Sequence, residues 1–356
     1  LQIASPFFNA QTRALLLQND AAEPVATRGD GFAVTPVQYR FLSAGSRNST
    51  QTRQAFRVLA GLRGDLTENL RYDAFYSFAR TSNQQRQLGN VSRSRYLQAL
   101  QTRFNPTTGA LECFDASARA AGCVPINVFG SGLASAAAVS FVDVASTNLE
   151  QSDLQNLVGS ISGSLFNLGL GADDIGFAFG GEYRKLSARY DPDEFLASGD
   201  VLGFNAGQPT SGSYDVKEIF GELRVPVIET DGGLLVELNG AARYSDYSLA
   251  NVGGVWTYTA GFLFAPVEDV RIRGQYARAV RAPNVQDLFG GRSTGFPAAI
   301  DPCSDRGSVA SRTAALQALC IASGVPAANV FTRAVQPAAQ IQADFGGNPN
   351  VGEETS

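Results

Sequence analysis

The stretch Ile219-Phe-Gly-Glu-Leu-Arg-Val-Pro-Val-Ile-Glu-Thr-Asp-Gly-Gly-Leu-Leu-Val-Glu-Leu-Asn-Gly-Ala-Ala-Arg-Tyr244 changes character at every second residue. Ile219, Gly221, Leu223, Val225 and Val227 hold one parity, with Glu222 and Arg224 in the other. Beyond the turn Asp231-Gly232-Gly233, the series Leu234, Val236, Leu238, Gly240, Ala242 and Tyr244 repeats the apolar parity against Glu237 and Arg243. A period of two is the signature of a β-strand, and two such runs across a glycine turn make a hairpin.

The pattern extends in both directions. Toward the N-terminus, Phe56, Val58, Ala60 and Leu62 alternate with charge. They are followed across Gly64-Asp65 by Leu70, Tyr72, Ala74, Tyr76 and Phe78, while Leu157, Gly159, Ile161, Gly163 and Leu165 precede a turn at residues 171–174 and then Ile175, Phe177, Phe179, Gly181 and Tyr183. Toward the C-terminus come Trp256, Tyr258, Ala260, Phe262 and Phe264, then Val270, Ile272, Gly274 and Tyr276. About nine strands of mostly ten or more residues result, longer than the ~5 to 6 usual in globular proteins.

Short turns near 64–69, 169–174, 229–233 and 266–269 alternate with longer connections at 45–53, 84–153, 189–213, 245–253 and 279–347. A soluble sandwich has no reason to gather its long connections at one end, whereas an outer-membrane barrel combines strands of ~10 residues, short periplasmic turns and long external loops. The expected fold is therefore all-β, an antiparallel transmembrane β-barrel. Its outward parity is apolar, and its inward parity holds the candidate lumen residues Arg71, Asp73, Glu182, Arg184, Glu222, Arg224, Glu237, Arg243, Arg271 and Arg273. Tyr72, Tyr76, Phe78, Tyr183, Tyr244, Trp256 and Tyr276 fit interfacial girdles.

Three uncharged runs reach the ~20 residues of a membrane helix. Each fails as one: 120–142 is broken by Pro125, Gly130 and Gly132, leaving at most a short helix near 134–141, and 154–172 and 247–267 alternate as strands. Composition agrees with a lipid-facing wall. Charged residues are 17% of the 356, below the ~25% of an average soluble domain. The 28 basic and 33 acidic residues leave a formal charge of -5, which argues against a nucleic-acid partner. The chain has no His, which excludes Ser-His-Asp and Cys-His nucleophile systems and His-bound zinc. No enzymatic activity and no cofactor are expected.

Arg281-Ala282-Pro283-Asn284 with Leu288-Phe289, Gly181-Glu182-Tyr183-Arg184, and Gly346-Gly-Asn-Pro-Asn350 together resemble segments of TonB-dependent outer-membrane receptors. The run 275–289 contains Arg281-Ala282-Pro283-Asn284 followed by Leu288-Phe289, similar to that family's "R-A-P-N-hydrophobic-x-[DE]-L-[FY]" motif; 176–184 ends in a "G-E-Y-R" strand; and Gly346-Gly-Asn-Pro-Asn350 is similar to the run that opens the family's next strand, though without its second Pro. The resemblance implies a Gram-negative outer membrane, crossed many times by a barrel of about 22 strands with a plugged lumen. It also implies a nutrient as ligand and TonB as partner through the plug. Residues 1–356 would supply 9 to 10 of those strands as part of a single barrel domain. Since an open sheet edge in lipid leaves backbone groups unsatisfied, and since the chain holds no Met, the expectation is an internal stretch, with the plug before Leu1 and closing strands after Ser356. A passive porin and a secreted β-sandwich binding module are the alternatives.

Four cysteines allow three connectivities. Cys113 lies near Cys123 and Cys303 near Cys320, each pair closing a small loop far from the other; pairing within each is expected, and their settings resemble loop disulfides of the same family. Metal binding by these thiolates is disfavoured without His or a C-x-x-C spacing. The acidic runs 191–194 and 301–305 could hold calcium, but solvated turns are the simpler account. The Gly-rich stretch 203–212 is no P-loop, and the glycosylation sequons at Asn48 and Asn90 have no meaning in a bacterial outer membrane.

Overall fold

A computed structural model describes residues 1–23, 27–33, 39–130 and 132–356. Eight long strands form one antiparallel sheet in which each lies beside its neighbour in sequence. They are β1 (Ser49–Thr67), β2 (Leu70–Val91), β3 (Asp143–Ser164), β4 (Gly176–Asp191), β5 (Thr210–Glu229), β6 (Leu235–Tyr247), β7 (Gly254–Val267) and β8 (Val270–Arg278). A ninth is present as Glu354–Thr355, which pairs with Val280–Arg281 just beyond β8.

Residues paired across an antiparallel ladder point to the same side, so the register fixes the two faces. Leu62, Ala74, Gly159, Gly181, Ile219, Tyr244 and Trp256 share one row of the outer face. Arg63, Asp73, Ser160, Gly180, Phe220, Arg243 and Thr257 form the adjoining row of the inner face. Outer-face aromatics step across the rows: Tyr76 and Tyr183 lie one row nearer the loops than Tyr244 and Trp256, Tyr258 lies one row beyond these and Tyr276 one further. That drift is what strands tilted ~35–45° to the membrane normal require of a girdle at constant depth.

Beyond the girdle the outer face turns polar. Arg80 forms a bidentate pair with Asp153 at 2.7 and 2.8 Å, and Lys185, Asp215 and Lys217 follow on β4 and β5. At 22 residues, β2 and β3 run about 70 Å at ~3.3 Å per residue, whereas ~9 to 11 residues cross the hydrocarbon; the surplus projects past the lipid.

Two expectations about the connections are corrected. Between β6 and β7 only residues 248–253 intervene, closed by Tyr247 N–H donating to Gly253 O at 2.9 Å, so one connection at the long-loop end is a tight turn. At the other end 165–175 separate β3 from β4 and Leu165 and Ile175 continue the pairing, so length does not alternate strictly. The connection read as 84–153 shrinks to 92–142, because β2 and β3 stay paired through polar residues up to Val91 and Asp143. Local polarity cannot end a strand whose backbone hydrogen bonds are satisfied by its neighbour.

The buried apolar core lies in these connections. Val91, Ala99, Leu100, Ile126, Val128, Ala138 and Val142 pack together above the sheet, with helices at Arg93–Leu100 and Ala136–Val142 supplying the apolar faces. The N-terminal helix Ala10–Ala21 belongs to a second cluster of Ile3, Phe8, Leu16 and Ala33. Cys113 is joined to Cys123 and Cys303 to Cys320. The second bridge, with Val330, is the centre of a third small core around the helix Ala314–Ala322. Among the described residues no helix is long and apolar enough to cross a membrane.

Candidate functional site

The inner face carries a charge network where β4, β5 and β6 meet. Glu182 stands directly opposite Glu218, which stands opposite Ser245. Two carboxylates facing each other across a ladder repel. Here two guanidiniums offset the repulsion: Arg243 Nη1 donates to Glu182 Oε2 at 3.2 Å and Glu218 Oε2 at 3.1 Å, and Arg184 lies 3.4 Å from Glu182 and 3.6 Å from Glu218. Ser245 Oγ donates to Glu218 Oε1 at 2.5 Å. The Glu218 side chain is 3% exposed, whereas Arg184 and Arg243 keep 31% and 37%, so the cationic rim faces the interior space and the anions lie against the wall.

Arg243 stacks on Phe220 at 4.9 Å from the ring centroid. The ring finds room because Gly180 lies opposite it: a Cβ there would sit 2.5 Å from Phe220 Cζ and 2.9 Å from Ser160 Cβ. In the run Gly180-Gly-Glu-Tyr-Arg184, one glycine therefore admits an aromatic ring, Glu182 and Arg184 build the network, and Tyr183 points to the outer face.

Toward the short-turn end the other inward residues take separate places. Arg224 pairs with Glu237 at 2.8 Å and Arg71 with Asp65 at 2.9 Å, and Asp73 faces Arg63 in register. Glu222 opposes Ala178 and Ala241 and lines a hollow of about 480 Å³ together with Arg224, Glu237 and Asn239. It makes no ion pair among the described residues, and neither do Arg271 and Arg273 on β8. The ten inward residues thus do not form one cluster; Glu182, Arg184 and Arg243 come together, Arg224 and Glu237 pair with each other, and the rest are spread along the wall.

Glu218, Phe220 and Ser245 were not legible as part of this site. The alternation is clear only from Ile219 onward, because upstream of it Lys217 and Asp215 occupy the outer parity beyond the girdle and remove the contrast. The available signal was parity, which Glu218 and Phe220 share with Glu222 on β5 and Ser245 shares with Arg243 on β6.

The other motif residues meet across some seventy positions of sequence. Arg281 bridges Glu354 at 3.1 Å and Asp287 at 3.8 Å, and Asn284 and Asp287 form a capping box on the short helix Val285–Phe289. The backbone of Gly346-Gly-Asn-Pro-Asn350 docks on that helix: Asn348 N–H donates to Asp287 O at 2.7 Å and Gly347 N–H to Gly290 O at 2.8 Å. A Cβ on Gly347 would lie 2.4 Å from Gly290 N, so only glycine fits this approach. The departing and returning chain of the last connection are thereby clasped together, which sets the start of the ninth strand beside β8.

The acidic runs have ordinary structural partners. Asp193 caps a helical turn and accepts from Thr147 N–H at 2.9 Å, and Asp305 pairs with Arg333 at 3.0 Å. Among the described residues no group of three or more Cys, Asp and Glu side chains converges as a metal site would.

An open meander with an apolar outer face, a charged inner face and long connections gathered mainly at one end is the wall of a barrel. A protein-family model described as "TonB dependent receptor-like, beta-barrel" matches residues 6–356. The chain belongs to that family. Comparison with curated proteins and with solved structures returns no match. For a TonB-dependent receptor-like barrel the outer face of β1 to β8 is lipid-facing wall of the outer membrane, and the class is one of receptors and transporters. The resemblance in the three motif segments and the family match therefore point the same way.

Proposed function

We propose that residues 1–356 belong to a single barrel domain of an outer-membrane receptor that captures a small nutrient at its long-loop end and imports it past the charged inner face. TonB would supply the energy through a plug domain outside this stretch. No bond in the nutrient is made or broken; the chemistry is binding followed by gated passage. The observation that carries the proposal is the segregation of faces in a chain of this family: a continuous apolar band outside, and inside a wall bearing Glu182, Arg184, Glu218 and Arg243 together with Glu222, Arg271 and Arg273, which make no ion pair among the described residues. The outer band and the outer-membrane lipid are partners in the same sense.

The test is accumulation of candidate labelled nutrients by cells producing the full-length protein, with and without TonB. Accumulation that requires both supports the proposal. Accumulation unaffected by loss of TonB indicates a passive porin, and recovery of the protein in buffer without detergent indicates a soluble β-sandwich; either overturns it.

A further inference from the structure

A cavity of about 880 Å³ lies above β1 and β2 at the long-loop end. That is within the ~300–1,000 Å³ of small-molecule sites. Three connections build it: residues 39–47 before β1, the end of β2 with the helix Arg93–Leu100, and residues 202–203 between β4 and β5. The second and third are locked together. Asp200 accepts from Ser92 Oγ at 2.5 Å, Ser94 N–H at 2.6 Å and Ser94 Oγ at 2.9 Å, and Leu202 N–H donates to Val91 O at 2.9 Å.

The lining is aromatic and cationic. Tyr39, Phe41 and Tyr96 form an edge-to-face series with ring centroids 4.9 and 5.3 Å apart. Arg40 and Arg47 are the charged lining residues, and no carboxylate is among them, in a chain that has more acidic than basic side chains. Arg47 is fixed in place, with Nη2 donating to Leu202 O at 2.8 Å and the guanidinium 5.4 Å from the Phe204 ring. Gly203, at φ +82, makes this possible: a Cβ would lie 3.1 Å from Arg47 Nη1. One backbone acceptor uses one of a guanidinium's five N–H groups, which leaves a fork suited to a carboxylate or another planar anion. Arg40 is exposed and makes no ion pair among the described residues.

The geometry points to this cavity as a binding site for a small organic anion with a planar, π-rich part. The anionic group sits between Arg40 and Arg47, and the flat part lies against the Tyr39, Phe41 and Tyr96 rings. Burial and the neighbouring Tyr39 push the Tyr96 hydroxyl up to about 12, so it stays a neutral donor that does not repel an anion. As the ligand class of an importer this rests on the function proposed above, but occupancy of the cavity does not.

The test uses the full-length protein extracted from membranes in detergent, with salicylate as probe and its neutral amide, salicylamide, as control, followed by calorimetry and by saturation transfer from protein to ligand. Saturable salicylate binding is expected, at least tenfold tighter than that of salicylamide, and weakened at least tenfold by Arg40→Ala, by Arg47→Ala and by Gly203→Val. Arg40→Ala removes a side chain with no ion pair to lose, so it reads the site without threatening the fold, and Arg47→Lys is expected to recover part of the loss from Arg47→Ala. No saturable salicylate binding, equal binding of the amide, or binding indifferent to both arginines overturns the inference. Because detergent-extracted protein reads binding alone, these results are separable from the transport test: loss of TonB-dependent accumulation leaves a salicylate-binding cavity standing, and loss of binding leaves import standing.

Discussion

Placing an arginine at residue 223 or at residue 222 separates the two faces of the wall by a single position. Leu223 shares an outer row with Phe177, Gly240, Ala260 and Tyr276, and Glu222 shares an inner row with Ala178, Ala241 and Thr259. Along β5 the outer apolar residues run from Ile219 to Ile228, about 30 Å of strand at ~3.3 Å per residue. At a ~40° tilt that is ~23 Å along the membrane normal, close to the ~25 Å apolar band of such barrels. Leu223 falls near the middle of it. Leu223→Arg is therefore expected to cost the ~2–4 kcal/mol of a midplane arginine. Glu222→Arg exposes its charge to the aqueous interior and, since Glu222 makes no ion pair among the described residues, is expected to cost under ~1 kcal/mol. The assay is urea-dependent folding of the full-length protein into lipid vesicles, followed by the difference in gel mobility between unheated, folded protein and heat-unfolded protein. Equal costs, or a larger cost at residue 222, would refute the assignment of faces.

Three further outcomes follow from particular contacts. Glu218→Gln keeps the acceptor for Ser245 but removes the charge facing Arg184 and Arg243. Because those two arginines remain about a third exposed, the expected loss is ~1–3 kcal/mol rather than the ~3–5 of a fully buried pair, and a double variant with Arg243→Gln should lose less than the sum of the singles in urea midpoints. Gly180→Val drives a side chain into Phe220, Ser160 and the carbonyl oxygen of Gly159 and is expected to cost ~1–3 kcal/mol as overpacking; in urea midpoints the double variant Gly180→Val/Phe220→Ala should lose less than the sum of the singles, and strict additivity would deny the ring contact. Asp200 is pushed up by burial, but hydrogen bonds from Ser92 and Ser94 outweigh this and hold it below the usual carboxylate range. A depressed folded-state pKa gives stability that is complete above the ordinary value of ~4 and is lost as pH falls through the folded one. The protection of amides in Arg93–Leu100 relative to their intrinsic exchange rates should thus fall below about pH 4, and Asp200→Asn should show the lowered protection already at pH 6.

By itself the sequence determined the wall. Period-two alternation is a property of single strands, and lipid on one side of a β-sheet imposes it residue by residue, so Ile219, Leu223, Leu238 and Phe262 announce their face without reference to any partner. It also showed which cysteines are neighbours, because a short loop makes the local pairing the cheapest to close. Only the tertiary structure decided what lies beyond the lipid. Where β2, β3 and β5 project past the girdle, both faces meet water and the alternation that marks a strand has no cause; the ends of these strands, and with them Glu218, were hidden for that reason. The pairing of Glu182 with Arg184, Glu218 and Arg243, the clasp of Arg281 on Asp287 and Glu354, and the meeting of Tyr39, Tyr96 and Arg47 join residues from separate strands or connections, and register and loop packing, which are long-range quantities, bring them together.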